Sequence, residues 1–475
     1  MNTINIASRR ELFVDNYLID NLSGTARLKM HPPRREEVVF QVDGRVENAC
    51  SGVYSVLIES DGRYLLYYRG NYPLADKAGD DSSGQTANVA ISVDGIHFER
   101  PELGLYDLDD GGRNNVVWQG IQSHNLVPFL DGNPDCRPDA RFKAVGGTGQ
   151  GNLYALFSPD GFRWRLAQPE PLAVPGAFDS ANVPFWDPLI GKYRLFSRFF
   201  EDGRGRAIQS CTSDDFIQWT PPVPHHYAAD APVEQFYTNA TTPVPGAEHI
   251  LLSFPMRYVA ERETPVEDIS AMAYPGVGTP GMAGMTDAIM MSSRDGIHWN
   301  RPFSEAWMRA GLDARNWTHR NNCPAIGILP LRDDEWSMYI SEHYGWPDNR
   351  LRRLSLRPWG FAGVNAGWHG GEVVTQPVIF TGSELRLNLS TSAVGSVAVE
   401  IQQPDGNPVP GLMLDDMEPI YGDRLDFAVK WKTNVDLAAL AGQPVRLRFV
   451  IKDADIFAFR FQPGRADGSP AGTGQ

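Results

Sequence analysis

The sequence lacks the features that would place the protein in a membrane or on nucleic acid. No apolar run in its 475 residues approaches the roughly 18 residues of a membrane-spanning helix. The N-terminal segment MNTINIASRRELFVD has no apolar signal-peptide core. Basic residues are outnumbered 43 to 58 by acidic ones, which gives a net charge of −15. Because nucleic acids and anionic membranes bind basic patches, we expect neither partner, and we expect a cytoplasmic location.

Cysteine is also scarce. The four residues Cys50, Cys136, Cys211 and Cys323 lie far apart, without a Cys-x-x-Cys pair. This spacing supports neither a zinc site nor a disulfide framework. The sequence therefore predicts no metal and no other cofactor, although it leaves open a calcium or sodium ion in a central channel.

One short phrase, by contrast, is written four times. It reads Ser-x-Asp-(Gly or Phe)-x-x-(Trp or Phe), and its copies are Ser92–Phe98, Ser158–Trp164, Ser213–Trp219 and Ser293–Trp299. The glycine adopts a positive φ without steric cost, and the Ser and Asp side chains bind turn backbone. We expect the closing aromatic residue to pack between neighbouring sheets. Repeats of this spacing are typical of propellers, solenoids and arrays.

A hairpin pattern accompanies the repeats. Five pairs of alternating apolar and polar runs, bounded by Gly, Pro or Asp, begin near Val53, Asn125, Val183, Tyr237 and Cys323. A fourth strand in each unit is less visible, with Asn115–Trp118 as one candidate. The pattern predicts an all-β fold with a five-bladed β-propeller over residues 1–362, favoured over six blades. We expect the segment Leu12–Ile19 to close the last blade.

Beyond Trp359-Gly360-Phe361 the pattern changes to consecutive short strands with Gly/Pro turns. These predict a β-sandwich over residues 370–463, followed by a disordered tail at 464–475. Two long loops, Leu74–Thr86 and Thr264–Met285, are predicted to be lids over the propeller or disordered segments.

Polar residues stand at the start of every predicted first strand, where a propeller gathers side chains around its channel. They are Glu47-Asn48, His124-Asn125 with Asp131 nearby, Asp179 to Asn182, Glu234-Gln235, and His319 to Asn322. Turn chemistry explains any single one of them equally well, but it explains the whole set less well.

Converging carboxylates suit the cleavage of a glycosidic bond, which uses one acid and one base or nucleophile. Asp179 and Glu234 are the leading candidates for these two roles, with Glu47 and Asp131 as competitors. The residues expected to position the sugar are Asn125, Asn182, His319, Arg320, Asn321 and Arg69. For His319 and Arg69 a purely structural role is an open alternative.

These features resemble the five-bladed glycoside hydrolases of families 32, 43 and 68. The repeat turns and the following sandwich carry the resemblance, together with Pro128–Pro134 (PFLDGNP), which is similar to their Arg-Asp-Pro motif. The resemblance implies cleavage of fructosides or arabinofuranosides by three carboxylates, with Asp131 stabilising the transition state. The chain departs from the family at two points, since Glu47 replaces an Asn-Asp-Pro motif and Asp179 replaces Glu-Cys. Sialidases fit less well, because their repeat has a residue between Asp and Gly.

The sequence therefore predicts a glycosidase whose partner is an oligosaccharide or glycoside. Two alternatives stay open, namely a non-catalytic carbohydrate-binding propeller, and a phosphorylase or transglycosylase on the same scaffold. A homo-oligomer is left open as well.

Overall fold

The computed structural model describes residues 3–71, 85–108, 111–149, 151–265, 272, 284–433 and 435–464. Most of the two predicted lid loops, and the predicted tail beyond residue 464, lie outside these residues. Within them the chain is all-β, as predicted. Its helical elements there are short 3-10 turns at Ile121–Ser123, Pro138–Ala140, Ala314–Asn316, Leu414–Asp416 and Leu437–Leu440. No described helix has the length and apolar character needed to span a membrane.

The chain forms two compact units. The larger is Pro32–Leu356, and the smaller combines Met1–His31 with Arg357–Gln475. The predicted propeller boundaries of 1–362 therefore differ from the structure mainly at the N-terminus, where residues predicted to belong to the propeller join the C-terminal unit instead.

Three sheets of the larger unit have four antiparallel strands each. Sheet 1 contains Val56–Ser60, Arg63–Asn71, Gln85–Ser92 and Val116–Gln119; sheet 2 contains Val127–Leu130, Phe142–Gly147, Leu153–Ser158 and Arg165–Leu166; sheet 3 contains Val183–Asp187, Lys192–Glu201, Gly205–Ser213 and Val223–Pro224. The first three predicted hairpins and the fourth strand near Asn115–Trp118 are confirmed to within a few residues.

Sheet 4 is divided into two three-stranded parts. One part contains Gln235–Phe236, Met256–Val259 and Met285–Ala288, and the other contains Thr242–Val244, Ala247–Ser253 and Met291–Ser293. The division falls at Pro255, which has no N–H to donate to a neighbouring strand. Sheet 5 contains Trp336–Glu342, Arg350–Leu356 and Arg34–Gln41, and Pro324 and Leu329 bridge to its first strand.

The expected closing segment is wrong. Arg34–Gln41 pairs with Arg350–Leu356 and completes sheet 5, whereas Leu12 pairs with Ala458 in the smaller unit. Phe13 and Leu18 are almost completely buried in the core of that unit. Both N-terminal segments are apolar enough to complete a sheet, and the local pattern does not determine which partner each one takes.

The repeated phrase forms a turn that attaches one sheet to the preceding one. In the second copy, Asp160 Oδ1 accepts hydrogen bonds from the backbone N–H groups of Phe162 and Arg163, both at 2.8 Å. The carbonyl oxygen of Gly161 accepts one from Tyr67 Oη in sheet 1 at 2.9 Å. Gly161 has a φ of +81°, and a Cβ there would lie 2.6 Å from the same phenol oxygen. Both the backbone conformation and the close approach therefore require glycine.

The other copies make the same kind of attachment. Tyr339 of sheet 5 donates to the Gly95 carbonyl at 2.6 Å, and Ser210 of sheet 3 donates to the Gly296 carbonyl at 2.9 Å. In the third copy Phe216 stands in the glycine position, and its ring packs 5.6 Å from that of Phe129 in sheet 2. These four attachments link the sheets in the order 5, 1, 2, 3 and 4. Thr286 of sheet 4 donates to the carbonyl oxygen of Asn321 at 3.1 Å, just before the segment that bridges to sheet 5, so the contacts run in cyclic order through the larger unit.

The smaller unit is built on two strands of 19 residues, Glu384–Gln402 and Pro444–Gln462, which pair along most of their length. Each of these long strands covers a stretch of the sequence in which two shorter strands were predicted. The remaining strands are Ile4–Ala7, Glu11–Leu12, Ile19–Gly24, Arg27–Met30, Ala362–Ala366, Gly371–Thr375, Val378–Phe380 and Asp423–Ala428. Their apolar side chains form one continuous core, whose removal from water is the main source of stability in such a unit. The arrangement of these strands as a sandwich stays a prediction.

Candidate functional site

Side chains from all five sheets of the larger unit are linked near the starts of the first strands. We call this set the mouth, and it consists of Arg69, Asn125, Asp179, Arg198, Arg206, Tyr237, Tyr258, His319, Arg320 and Tyr344. Five of these residues were predicted as site residues from the sequence, namely Arg69, Asn125, Asp179, His319 and Arg320.

Hydrogen bonds connect one side of the mouth. Arg69 donates to Asn125 Oδ1 at 3.4 Å and to Tyr344 Oη at 3.3 Å. Arg320 donates to the same Tyr344 oxygen at 2.8 Å and to Tyr237 Oη at 3.0 Å. Asn125 and Arg320 both have a positive φ, of +51° and +63°. Their backbones therefore turn sharply, Asn125 just before the strand Val127–Leu130 and Arg320 just before the segment that bridges to sheet 5 at Pro324 and Leu329. The predicted positions of these residues around a shared centre agree with the contacts that they make.

Tyr237 is the centre of the mouth. Its ring centroid lies 4.8 Å from that of His319 and 5.7 Å from that of Tyr258, and the two neighbouring rings are 5.5 Å apart. His319 is thus held edge-on against two aromatic rings. This environment fixes the orientation of the imidazole ring.

Asp179 is the most accessible of the four predicted catalytic carboxylates. Its side chain is 40% exposed and forms an ion pair with Arg198, whose side chain is 3% exposed. The Asp179 carboxylate is therefore accessible to solvent while a buried arginine holds it in place.

Two predicted sugar ligands are engaged by the protein itself. The amide nitrogen of Asn182 donates to the carbonyl oxygens of Phe178 and Ser180. Asn321 accepts a hydrogen bond from the backbone N–H of Tyr344 at 2.8 Å and donates to Thr318. Both side chains are buried, and these bonds order the turns that precede the first strands of sheets 3 and 5.

Glu47 is enclosed, although it was predicted as a catalytic competitor. Its side chain has no exposed surface and is paired with Arg100. Arg100 donates to both carboxylate oxygens, at 2.8 and 2.7 Å, and Tyr68 Oη and the N–H of Gly44 donate to them as well. With every contact made to protein, Glu47 presents no free oxygen to a substrate, so we assign it a structural role.

Asp131 is also enclosed, and it lies at the opposite end of its strand from Asn125. The strand Val127–Leu130 separates the two residues, which corresponds to about 20 Å of extended chain. The Asp131 side chain is completely buried, pairs with Lys143 and accepts a hydrogen bond from Tyr193 at 2.8 Å. The expectation that Asp131 lies near Asn125 is therefore wrong, because adjacency in sequence spans the full length of a strand here.

Glu234 lies on the wall of a pocket of about 730 Å³ beside sheet 4. Its side chain is 20% exposed, and its two oxygens are paired with Arg257, at 3.0 Å, and with Arg301. Thr318 also lines the pocket and directly precedes His319, so the pocket adjoins the mouth. Trp317, which is 39% exposed, supplies an aromatic surface in it.

Sequence reasoning missed Arg206, Tyr237, Tyr258 and Tyr344 and did not select Arg198. A usable signal existed for Arg198, because Arg69, Arg198 and Arg257 all lie on the second strands of their sheets. Burial lowers the pKa of Arg198, and repulsion from Arg206 and Arg320 acts in the same direction, against opposing contributions from Tyr237 and Tyr54. No comparable pattern in the sequence distinguishes the three tyrosines from those of the core.

Among the described residues, no group of three or more His, Cys, Asp or Glu side chains is placed to hold a metal ion. The candidate site is accordingly described by its arginine, tyrosine and carboxylate groups alone.

No protein-family model and no curated protein matches the sequence. Solved structures with a similar fold include an N-acetylgalactosamine deacetylase from F. plautii, with 13% identity, coverage of 70% of this chain and 96% of that chain, and a TM-score of 0.42. A β-1,2-mannobiose phosphorylase from Listeria innocua has 12% identity, coverage of 70% and 97%, and a TM-score of 0.44.

A family 43 arabinoxylan arabinofuranohydrolase from Bacillus subtilis has 11% identity, coverage of 89% and 98%, and a TM-score of 0.38. Glycoside hydrolases are thus among the solved structures to which the chain shows this degree of similarity. Because all of these TM-scores lie below 0.5, the activities of those proteins are not transferred to this chain.

Proposed function

We propose that the protein cleaves a terminal glycosidic bond at the mouth, with a fructoside or an arabinofuranoside as the leading substrate class. The five sheets contact one another in cyclic order, largely through the repeat turns. This order supports the view that they are the blades of a five-bladed propeller. In such a fold the mouth is the open end of the central channel, where one ligand is reached from every blade.

The observation that carries this proposal is the accessible carboxylate of Asp179. It lies just before the first strand of sheet 3 and is held by a buried arginine of that sheet. A carboxylate fixed in this way suits a group that acts in its charged form, as the nucleophile or as the base that activates water.

Cleavage also needs a group that protonates the leaving oxygen. Glu234 is the other predicted catalytic carboxylate with exposed surface, and it lies in the pocket that adjoins the mouth. Because both of its oxygens are paired with arginines, which favours the charged form, Glu234 can take this role only when substrate binding displaces one of these ion pairs. Trp317 in that pocket offers an aromatic face on which a sugar ring can stack. We assign the pocket to the part of the substrate beyond the cleaved bond.

The test is the Asp179→Asn variant, which keeps the shape of the side chain and removes its charge. We expect turnover per folded molecule of a panel of aryl furanosides and pyranosides to fall by about 10²-fold or more, the size of effect typical of a lost acid or base. The melting temperature should fall as well, because the buried Arg198 loses its charged partner. The matched control is Asp131→Asn, the same substitution at a completely buried carboxylate that pairs with Lys143, which we expect to lower stability and to leave turnover per folded molecule unchanged. Full activity in Asp179→Asn would contradict the proposal.

The non-catalytic alternative gives a different result in the same assay. A carbohydrate-binding propeller would bind glycans and turn over none of the panel. A phosphorylase would release a sugar phosphate when inorganic phosphate is added, and a transglycosylase would release a longer glycoside when a second sugar is added.

A further inference from the structure

We infer that the mouth binds an oxyanion, that is, a phosphate, sulfate or carboxylate group, through Arg198, Arg206 and Arg320. The inference rests on the proposed function and extends it, because it states that the glycoside or its co-substrate carries negative charge at the site of cleavage.

Three guanidinium groups surround a single aromatic ring in the mouth. The Cζ atoms of Arg198, Arg206 and Arg320 lie 5.6, 5.4 and 5.6 Å from the centroid of Tyr237. They come from sheet 3 and from the turn before the first strand of sheet 5, so the fold brings together cations that are distant in sequence. Burial is the main cause that lowers the pKa of Arg198, and repulsion from Arg206 and Arg320 adds to it, in agreement with these distances.

Positive charge exceeds negative charge in this cluster. Asp179 pairs with Arg198, whereas Arg206 donates to the neutral amide oxygen of Gln235 at 2.9 Å and lies 4.6 Å from the ring of Tyr258. The excess is evident from Arg198, Arg206 and Asp179 alone, which contribute two cations and one anion. It occurs in a chain whose net charge is −15, so the sign of the local charge is opposite to that of the whole molecule.

The burial of Arg198 makes this arrangement costly without a ligand. The residue is 2% exposed, and among the described residues its Nε has no hydrogen-bond partner. A buried charge that is incompletely compensated destabilises the folded state. A bound oxyanion would supply the missing charge, and the planar fork of arginine donors matches the geometry of phosphate, sulfate and carboxylate groups.

The experiment is a calorimetric titration of the full-length protein at constant ionic strength. The ligands are inorganic phosphate, sulfate and glucuronate, with glucose as the neutral comparison. The test variant is Arg206→Gln. The matched control is Arg204→Gln, which removes the same charge two residues away, where the guanidinium pairs with Glu201 at 3.2 Å and lies over Tyr227.

We expect the wild-type protein to bind at least one of the three oxyanions and to bind glucose more weakly. Arg206→Gln should weaken oxyanion binding by about 10-fold or more, as expected for the loss of a charge-assisted hydrogen bond, and Arg204→Gln should leave it unchanged. Absence of binding to all three oxyanions overturns the inference. Equal weakening in the two variants also overturns it, because the effect would then come from general charge and not from the mouth.

Product analysis separates the two sources of the oxyanion. If free phosphate is the ligand, one of its oxygens bonds to the anomeric carbon as the glycosidic C–O bond breaks and the leaving oxygen takes up a proton, so a neutral glycoside yields a sugar phosphate esterified at its anomeric carbon. If the oxyanion belongs to the sugar, glucuronate binds and charged glycosides are cleaved in preference to neutral ones. Both results support the inference.

The same data distinguish a failure of this inference from a failure of the proposed function. Turnover of neutral glycosides that depends on Asp179, together with no oxyanion binding, refutes the oxyanion site and leaves the glycosidase intact. Oxyanion binding that depends on Arg206, together with no turnover of any glycoside, supports the site and refutes the enzyme.

Discussion

Residues of one chemical type take opposite roles in this protein according to what surrounds them. Glu47 and Asp179 both precede a first strand, yet Glu47 is completely enclosed by Arg100, Tyr68 and backbone, while Asp179 is held from one side and stays accessible. The difference comes from the neighbouring strands, which place a cation and a phenol over Glu47 and a single cation beside Asp179. Position in the sequence therefore identifies a candidate, and the local contacts decide its role.

Glu47 provides a stability test at this scale. Glu47→Gln removes a buried charge that Arg100 depends on, and breaking such a pair is strongly destabilising. Because the Arg100 side chain is 30% exposed and water partly replaces the partner, we expect a loss of about 2 kcal/mol in the free energy of unfolding, measured by denaturant titration.

The control for this test is Asp43→Asn. Asp43 contacts the same Arg100 at 3.3 Å, but its side chain is 64% exposed, and exposed pairs contribute about 0–1 kcal/mol. A loss in Asp43→Asn as large as that in Glu47→Gln would show that burial of Glu47 is not what makes its ion pair important.

The repeat turn is the element that determines how the larger unit is assembled. Its Ser and Asp side chains close the turn, its glycine or phenylalanine contacts the preceding sheet, and its last aromatic residue packs beside it. Local chemistry and long-range packing thus depend on the same seven residues. Because the same residues serve both purposes, the phrase can be recognised in the sequence although the sheets share little other sequence.

The turn also predicts a dependence on acidity. Burial by itself raises the pKa of Asp295, but hydrogen bonds from the His298 ring and from the N–H groups of Ile297 and His298 outweigh it and hold the pKa at about 2, below the value of about 4 in an unfolded chain. The stabilisation by this carboxylate is therefore fully present above about pH 4, and it is lost as the pH falls through about 2.

Asp295→Ala should remove that stabilisation. We expect a loss of about 1 kcal/mol at neutral pH, comparable to the loss of a capping side chain, and a smaller difference between variant and wild type as the pH falls from 4 towards 2. Denaturant unfolding curves across this range measure the difference. A difference that is constant with pH would contradict the role assigned to the charged carboxylate.

At the scale of the whole molecule, the N-terminal residues are divided between the two units. Residues 4–30 supply four strands and several core side chains to the smaller unit, and Arg34–Gln41 completes sheet 5 of the larger one. Each unit therefore contains a strand that is remote in sequence from its partners. Such long-range pairing makes folding depend on the complete chain.

Truncation at two points tests this division. Removal of residues 1–31 should unfold the smaller unit, because Ile6, Phe13 and Leu18 leave its core, and should leave the larger unit folded. Limited proteolysis should then cut within 357–462 and spare 32–356. Removal of residues 1–41 should in addition make the larger unit susceptible, because Arg350–Leu356 becomes an open edge strand. Equal protease resistance of the two truncated chains would contradict the role of Arg34–Gln41.

Local patterns in the sequence were sufficient for the all-β class, the first three hairpins and the four repeat turns. Strand alternation and turn chemistry act over fewer than about ten residues. They can therefore be recognised in the sequence without any knowledge of tertiary contacts. The same patterns selected Asp179, Arg320, Asn125, Arg69 and His319 as candidate site residues, because each of them lies on a predicted strand or just before one.

Tertiary structure alone decided which N-terminal segment closes sheet 5, which carboxylates are enclosed, and which arginines and tyrosines meet at the mouth. Leu12–Ile19 has six apolar residues of eight and Arg34–Gln41 only three, yet the less apolar segment closes sheet 5, and Asp131 and Asp179 have the same side chain. The two segments and the two carboxylates differ in role because of their partners, which lie from about ten to several hundred residues away along the chain. These partners include Ala458, Arg350, Lys143 and Arg198. A local pattern contains no information about those distances, because the energy that selects a partner is released only when the two surfaces are packed together.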